Sequence, residues 1–361
     1  MHSMNPSTVT VIVPTYEEFD SLPSLIDAIE RVRDESLPKL NVIVVDDNSQ
    51  DGTEELIGSL QKEWVRLLVR TQDRGLSPAV IAGLQSASGE FCVVMDADGS
   101  HPASAITAMI QALQDGADFA VGSRYINGGT TEDGWGFLRW LNSKIATLMA
   151  RPFTRVLDPM SGFLALRKTT FLEASELNPV GYKIGLELIV KCQCKNVSEV
   201  PIHFSTRLLG ESKLTLSVQW QYLQHVIRLL RYTRPTLVSF CSFAMVGLSG
   251  AVLYLLLLVA TTAMITSVPL AIALAVWLAM TWNFIWDRKY AFWNSRQQPI
   301  YTQYIGFVLI CSVGVLANFF ITLALSKSEA IPLAGLIGVS IGSAVGIIFN
   351  FLMTRLIVFR K

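Results

Sequence analysis

Up to about Pro235 short β-prone runs alternate with segments whose apolar residues recur at helical spacing, and beyond that point long apolar stretches take over. The β-prone runs are 8–13, 41–45, 65–69, 91–95 and 117–121. Strand and helix alternating at this spacing predict an α/β fold, a mainly parallel sheet covered by helices on both faces. Such sheets bind ligands beyond the carboxyl ends of their strands. The residues after those ends are polar and mostly acidic: Pro14-Thr15-Tyr16-Glu17-Glu18, Asp46-Asp47-Asn48-Ser49 and Asp96-Ala97-Asp98.

The second half reads differently. Four apolar segments, 237–265, 268–285, 304–325 and 331–352, are each long enough to cross a hydrocarbon core of ~30 Å. Two earlier segments, 134–157 and 216–232, mix large apolar residues with cations at helical spacing, and are expected to be amphipathic helices at a bilayer interface; core-facing surface helices are the alternative. The expected layout is a catalytic domain over 1–213 with an interfacial helix at about 135–157, an interfacial helix or linker over 214–235, and a four-helix membrane domain over 236–361. Arg228, Arg231 and Arg234 precede the first span, Arg288, Lys289 and Arg296 separate the second and third, and Arg355, Arg360 and Lys361 close the chain. Positive charge on those loops predicts a multi-pass protein of the cell membrane with both termini and the catalytic domain in the cytoplasm. The first residues carry no charged and then apolar leader, in keeping with that expectation. The spans also repeat: a shift of 67 positions maps Phe240 to Phe307, Gly247 to Gly314, Asn283 to Asn350 and Arg288 to Arg355.

Charge and cysteines narrow the chemistry. Lys plus Arg and Asp plus Glu are equal at 29 each, so no global field favours nucleic acid. The five Cys are scattered, mostly in apolar runs, and are expected to be reduced thiols. No G-x-G-x-x-G or G-x-x-x-x-G-K-[ST] loop occurs, which argues against a dehydrogenase or a P-loop NTPase. Asp96 and Asp98, one residue apart at a strand end, repel each other unless a hard cation or several donors compensate them. Mg²⁺ or Mn²⁺ completed by substrate phosphates fits; a solvated Asp-rich turn is the alternative. Asp51 suits a helix cap, Asp47 is open to either role, and His101, just before Pro102, suits a structural hydrogen bond.

Pro14-x-Tyr16-x-Glu18, Val45-Asp46-Asp47-Asn48-Ser49-Gln50-Asp51-Gly52-Thr53, Arg74-Gly75-Leu76, Asp96-Ala97-Asp98-Gly99-Ser100-His101-Pro102 and Gly122-Ser123-Arg124-Tyr125 resemble, in order and spacing, the GT-A glycosyltransferases of family 2. More closely they resemble its dolichol-phosphate mannosyltransferase branch. The likeness continues through Trp135-x3-Arg139-x3-Ser143, Asp158-Pro159-Met160-Ser161-Gly162-Phe163, Glu199-Val200-Pro201-Ile202 and Arg207-x-x-Gly210-x-Ser212-Lys213-Leu214. The membrane half resembles the GtrA-like domain. Glu17, Gly99 and Leu164 depart from the family, which usually has Asn, Leu and Arg there.

The resemblance implies a Rossmann-like GT-A sheet with Pro14, Tyr16, Glu18, Asp46, Asp96, Ala97 and Asp98 around the nucleotide sugar. It puts Asp96, Asp98 and Ser100 on the metal, and Arg124, Arg139 and Ser143 on a lipid phosphate. Arg207 and Lys213 would close a lid on the donor phosphates, or sit in a solvated basic turn. Asp98 and Arg124 would carry catalysis. The expected activity is inverting transfer of mannose from GDP-mannose to a polyprenyl or dolichyl phosphate. A UDP-glucose donor, a membrane half acting as a flippase for lipid-linked sugar, and a non-catalytic binding module are the rivals. Oligomeric state is not legible.

Overall fold

In a computed structural model the structure describes residues 7–131, 137–181, 183–205, 216–295, 298–326 and 334–360. The chain divides into two compact units, Met1–Leu229 and Leu230–Lys361.

In the first unit the sheet is made by β1 (Val9–Thr15), β2 (Leu40–Asp46), β3 (Val65–Val69), β4 (Phe91–Val94), β5 (Phe119–Ser123), β7 (Leu164–Arg167) and β8 (Val197–Pro201). Two short strands, β6 (Thr130–Thr131) and β9 (His203–Phe204), pair separately. The helices are α1 (Leu22–Glu35), α2 (Thr53–Ser59), α3 (Leu76–Ser86), α4 (Ala105–Gln114), α5 (Phe137–Ala150), α6 (Lys168–Leu172), α7 (Ile184–Lys191) and α8 (Leu216–Thr233), the last crossing the division between units. The five strands expected from the sequence all form, within two residues of their expected limits.

Strand order is β3-β2-β1-β4-β7-β5-β8. Every pairing is parallel except those of β7, which runs antiparallel to both β4 and β5. The period-two alternation puts Val9, Val11, Val13, Val42 and Val44 into the core on one face and Ile12, Ile43, Val45, Cys92 and Val94 into the core on the other. β7 was not foreseen, because four residues, Leu-Ala-Leu-Arg, are too few to show a period. Its consequence is local and large. Leu164 pairs with Val94 at the end of β4 and with Val121 near the end of β5. Residues 158–163, just before it, are therefore delivered between the Asp96-Asp98 loop and Arg124.

The two amphipathic segments form α5 and α8. Tyr222, His225, Val226 and Leu229 of α8 are buried, with the Tyr222 hydroxyl donating to Ala146 O at 2.9 Å. Trp220, Leu141, Ile145 and Leu148 stay exposed. Each helix thus has one face in the unit and leaves apolar side chains outside.

The second unit comprises α9 (Pro235–Met264), α10 (Val268–Trp286), α11 (Ile300–Ser326) and α12 (Ala334–Met353). α10 and α12 each end in a π-helical turn, Asp287–Ala291 and Thr354–Val358. Among the described residues three helices are long and apolar enough to cross a membrane: Pro235–Met264, Val268–Ala291 and Ser340–Val358. The expected span 304–325 falls in α11, where Ile300–Leu316 is the described apolar stretch.

The repeat is real but its register changes. Phe240 meets the Phe351 ring edge-on at 5.2 Å, as Tyr304 meets Phe284 at 5.1 Å. Phe243 tilts on Phe351 at 5.7 Å, as Phe307 does on Phe284 at 5.6 Å. Asn283 lies against Gly250 and Asn350 against Gly314. The second helices correspond at the expected shift of 67, whereas these contacts match the first helices at 64, pairing Phe243 with Phe307 and Gly250 with Gly314. The second hairpin is longer by almost one helical turn. Four Cys are buried or partly buried as expected; Cys241 is exposed.

Candidate active site

Three loops at the carboxyl ends of β1, β2 and β4 meet as the strand order requires, because β1 lies between the other two. Pro14 is buried in β1, while Tyr16 just beyond it is 48 % exposed and Glu18 half-buried. Asp46 accepts the Ser49 backbone N–H at 3.0 Å and its hydroxyl at 2.8 Å. Asp47 is structural: Oδ1 takes the Arg70 guanidinium and Oδ2 the Gly75 N–H at 2.6 Å, tying the β2 loop to the start of α3. Asp51 accepts N–H groups from Thr53 at 3.1 Å and Phe19 at 3.2 Å, as well as the Ser49 hydroxyl at 2.8 Å. Partial burial acts against its charge, yet those hydrogen bonds prevail and hold its carboxyl below the usual range. It caps the first turn of α2, although Gly52 occupies the N-cap position itself.

Asp96 and Asp98 stand at the end of β4 with Ala97 buried between them. Asp98 is buried, and its Oδ1 accepts the Ser100 N–H at 3.0 Å and the Ser100 hydroxyl. Asp96 is more open, its side chain 29 % exposed. The sharp turn between Asp98 and Ser100 uses Gly99 at φ 75°, a region closed to most β-carbon residues. Glu17 sits at φ 59°, where Asn is better tolerated, which gives a backbone reason for the family's usual residue.

His101 braces this loop. Its Nδ1 accepts the Asp96 backbone N–H at 3.0 Å, and its ring stacks on Phe163 at 5.1 Å and meets Phe204 edge-on at 5.6 Å. Complete burial pushes its pKa down, against the pull of Asp96 and Asp98, so the ring is neutral at pH 7. The structural role expected for it is the one observed.

Arg124 follows β5. Its Nε and Nη2 donate to Asp158 Oδ2 and Oδ1 at 2.7 and 2.8 Å, and its own N–H adds a third bond at 3.1 Å. The guanidinium also lies over the Phe204 ring at 5.0 Å and the Tyr125 ring at 5.5 Å. Burial opposes its charge, but the bonds and charge of fully buried Asp158 outweigh that and raise its pKa. His101 of the acidic loop and Arg124 both lie against the Phe204 ring, at 5.6 and 5.0 Å, which brings the two regions together. On α5 the Ser143 hydroxyl bonds the hydroxyl of Tyr125, the residue after Arg124, at 2.8 Å. Arg139 lies on α5, but its side chain is not among those described, and Arg207 and Lys213 lie outside the described residues.

A model of the glycosyl transferase family 2 matches residues 10–173, and one of the GtrA/DPMS transmembrane domain matches 242–359. The dolichol-phosphate mannosyltransferase of Pyrococcus furiosus is 37 % identical over 355 residues, covering 95 % of this chain and 97 % of that protein. This chain belongs to the dolichol-phosphate mannosyltransferase family. A second member of the family, from Mycosarcoma maydis, is 39 % identical over 239 residues, 64 % of this chain and 81 % of its own. The solved mannosyl-3-phosphoglycerate synthase of Rubrobacter xylanophilus superposes with a TM-score of 0.51 at 19 % identity, covering 63 % of this chain and 74 % of that one, a likeness of fold.

As a family 2 glycosyltransferase with a GtrA-like membrane domain, the chain carries site residues that its sequence did not flag individually. Asp158, Phe163 and Phe204 hold Arg124 and His101 in place, yet only Asp158 and Phe163 fall in a motif that could have pointed to them. Leu164, where the dolichol-phosphate mannosyltransferases commonly have Arg, is 1 % exposed in the sheet core, so this chain offers no cation at that position.

Proposed function

We propose that this enzyme transfers mannose from GDP-mannose to a polyprenyl phosphate at the cytoplasmic leaflet, with inversion at the anomeric carbon and with a divalent cation, Mg²⁺ or Mn²⁺. The observation that carries the reading is the juxtaposition of the Asp96–Asp98 pair with an Arg124 locked onto Asp158. In this reading the first takes a cation and diphosphate, the second a phosphate.

The residues fit such a cation. The Asp96 side chain is 29 % exposed, and Gly162, lacking Cβ, leaves its carboxylate uncrowded. Asp96 and Asp98 would hold it, with Ser100 orienting Asp98 and substrate oxygens completing the shell. When bound, it supplies Lewis-acid neutralisation of the diphosphate leaving group. Pro14, Tyr16, Glu18 and Asp46 would border base and ribose, with buried Ala97 between the two Asp. Arg207 and Lys213 belong to the segment expected to close over the donor.

Arg124, Arg139 and Ser143 would hold the acceptor. A phosphate monoester with its second pKa near ~6 is largely a dianion at neutral pH and needs no general base. Among the described residues His101 is buried and already accepts the Asp96 N–H, so its Nδ1 is not available as a base. Direct attack on the anomeric carbon gives a β-linked product from an α-linked donor. The Arg and Lys residues flanking the spans on one side support the cytoplasmic leaflet.

Incubation of the full chain in vesicles with polyprenyl phosphate and radiolabelled GDP-mannose or UDP-glucose, with and without EDTA, tests the reading. EDTA-sensitive lipid label from GDP-mannose alone supports it. Label from UDP-glucose alone replaces the donor, and undiminished label in EDTA removes the cation.

A further inference from the structure

The loop that carries Asp158 is gripped from both sides by groups that no part of the mechanism above uses. On one side Glu199, in β8 and level with Val121 of β5, accepts the backbone N–H of Leu157 at 2.9 Å and of Asp158 at 3.2 Å through its two oxygens. On the other side Arg151, just past the end of α5, donates from Nη1 to the carbonyls of Arg155 at 2.7 Å and Val156 at 3.3 Å. A carboxylate therefore takes two consecutive amides and a guanidinium takes the two carbonyls before them. Charge-assisted bonds to backbone groups are the stronger kind, and four consecutive residues fixed this way leave the loop little freedom. Asp158 is the next side chain out, and it is fully buried against Arg124.

The aim of Arg124 needs such support. Its guanidinium takes its direction from the two Asp158 oxygens, at 2.7 and 2.8 Å, and loses that direction if the Asp158 loop shifts. Holding Asp158 in register thus keeps the guanidinium aimed. We infer that Glu199 and Arg151 are positioning residues for acceptor binding, acting through the 155–158 backbone and Asp158 on the orientation of Arg124. This rests on the reading of Arg124 as a ligand of the lipid phosphate.

The acceptor and donor Michaelis constants should respond differently. Glu199→Ala and Glu199→Gln, with Arg151→Ala, are assayed as full chains in vesicles, varying polyprenyl phosphate at saturating GDP-mannose and then the reverse. A misplacement of about 1 Å at a reacting group can cost on the order of a hundredfold. Glu199→Ala should raise the acceptor KM by about tenfold or more while the donor KM moves less than about twofold, with Arg151→Ala smaller in the same direction. Glu199→Gln retains one acceptor oxygen and should fall between wild type and Ala; should the Ala variant not fold, Gln decides. Equal rises in both constants would mean general loosening and would overturn the inference, as would unchanged kinetics. Arg124→Lys in the same assay keeps the two ideas apart. If Arg124→Lys leaves the acceptor KM unchanged, the acceptor reading fails and takes the positioning role with it. If Arg124→Lys raises that KM and the Glu199 variants do not, only the positioning role falls.

Discussion

Gly162 faces the carboxylate of Asp96 so closely that a Cβ built on it would stand 3.1 and 3.2 Å from the two oxygens. Contacts of that length force a neighbour to shift by a few tenths of an ångström, and the neighbour here is a proposed cation ligand. Gly162→Ala is expected to raise the Mg²⁺ or Mn²⁺ concentration giving half-maximal rate by about tenfold, with the fold retained. A metal titration of initial rates checks it; an unchanged half-point would remove Gly162 from the site.

Asp158 is the counter-charge of Arg124 and has no access to water. Asp158→Asn leaves the guanidinium buried without its anion. Removing one partner of such a pair costs about 3–5 kcal/mol, so thermal unfolding should shift downward. Catalysis should suffer more selectively, with kcat/KM for the lipid acceptor falling about a hundredfold while donor binding persists. Differential scanning fluorimetry and a GDP-mannose binding isotherm on the same sample separate the two effects.

Acid should loosen the docking of α8. Burial, helped by the charge of Arg228, pushes His225 down to about 4, and its ring accepts the Val180 N–H at 3.3 Å while Nε2 faces Glu187 at 3.8 Å. An unfolded histidine titrates near its ordinary 6.5, so between 6.5 and about 4 the unfolded chain binds more protons. The contribution is fully present above 6.5 and is lost as pH falls through that window, on the order of 3 kcal/mol at most. The unfolding temperature should therefore fall between pH 7 and pH 4.5, and fall less steeply in His225→Gln.

In the second unit Asn283 occupies the space over Gly250, and Asn350 that over Gly314. A methyl at either glycine would collide with the amide and push the hairpin helices apart. Gly250→Ala and Gly314→Ala should each destabilise the unit by about 1–3 kcal/mol. Combining Gly250→Ala with Asn283→Ala should recover part of that loss. A double-mutant cycle on unfolding in detergent reads the coupling; additive effects would deny the contact.

Much of this molecule is declared by neighbouring residues to one another. Five strands, the acidic loops at their ends, the apolar spans and the Asn repeat are all written in contiguous stretches, because burial on a pleated or helical surface imposes a short period. The ordered motifs sufficed to identify the family. Tertiary structure alone decided which distant stretches serve the site. β7 wedges antiparallel between β4 and β5, and this places Asp158 against Arg124, 34 positions away, and Gly162 against Asp96. Glu199 reaches the same loop from 41 positions on, and the ring of Phe204 reaches Arg124 from β9. The second hairpin's extra turn, which moves the helix match from 67 to 64, was equally hidden, since like residues recur at both spacings. Strand order and helix packing are settled by the free energy of the whole core, which no local period encodes.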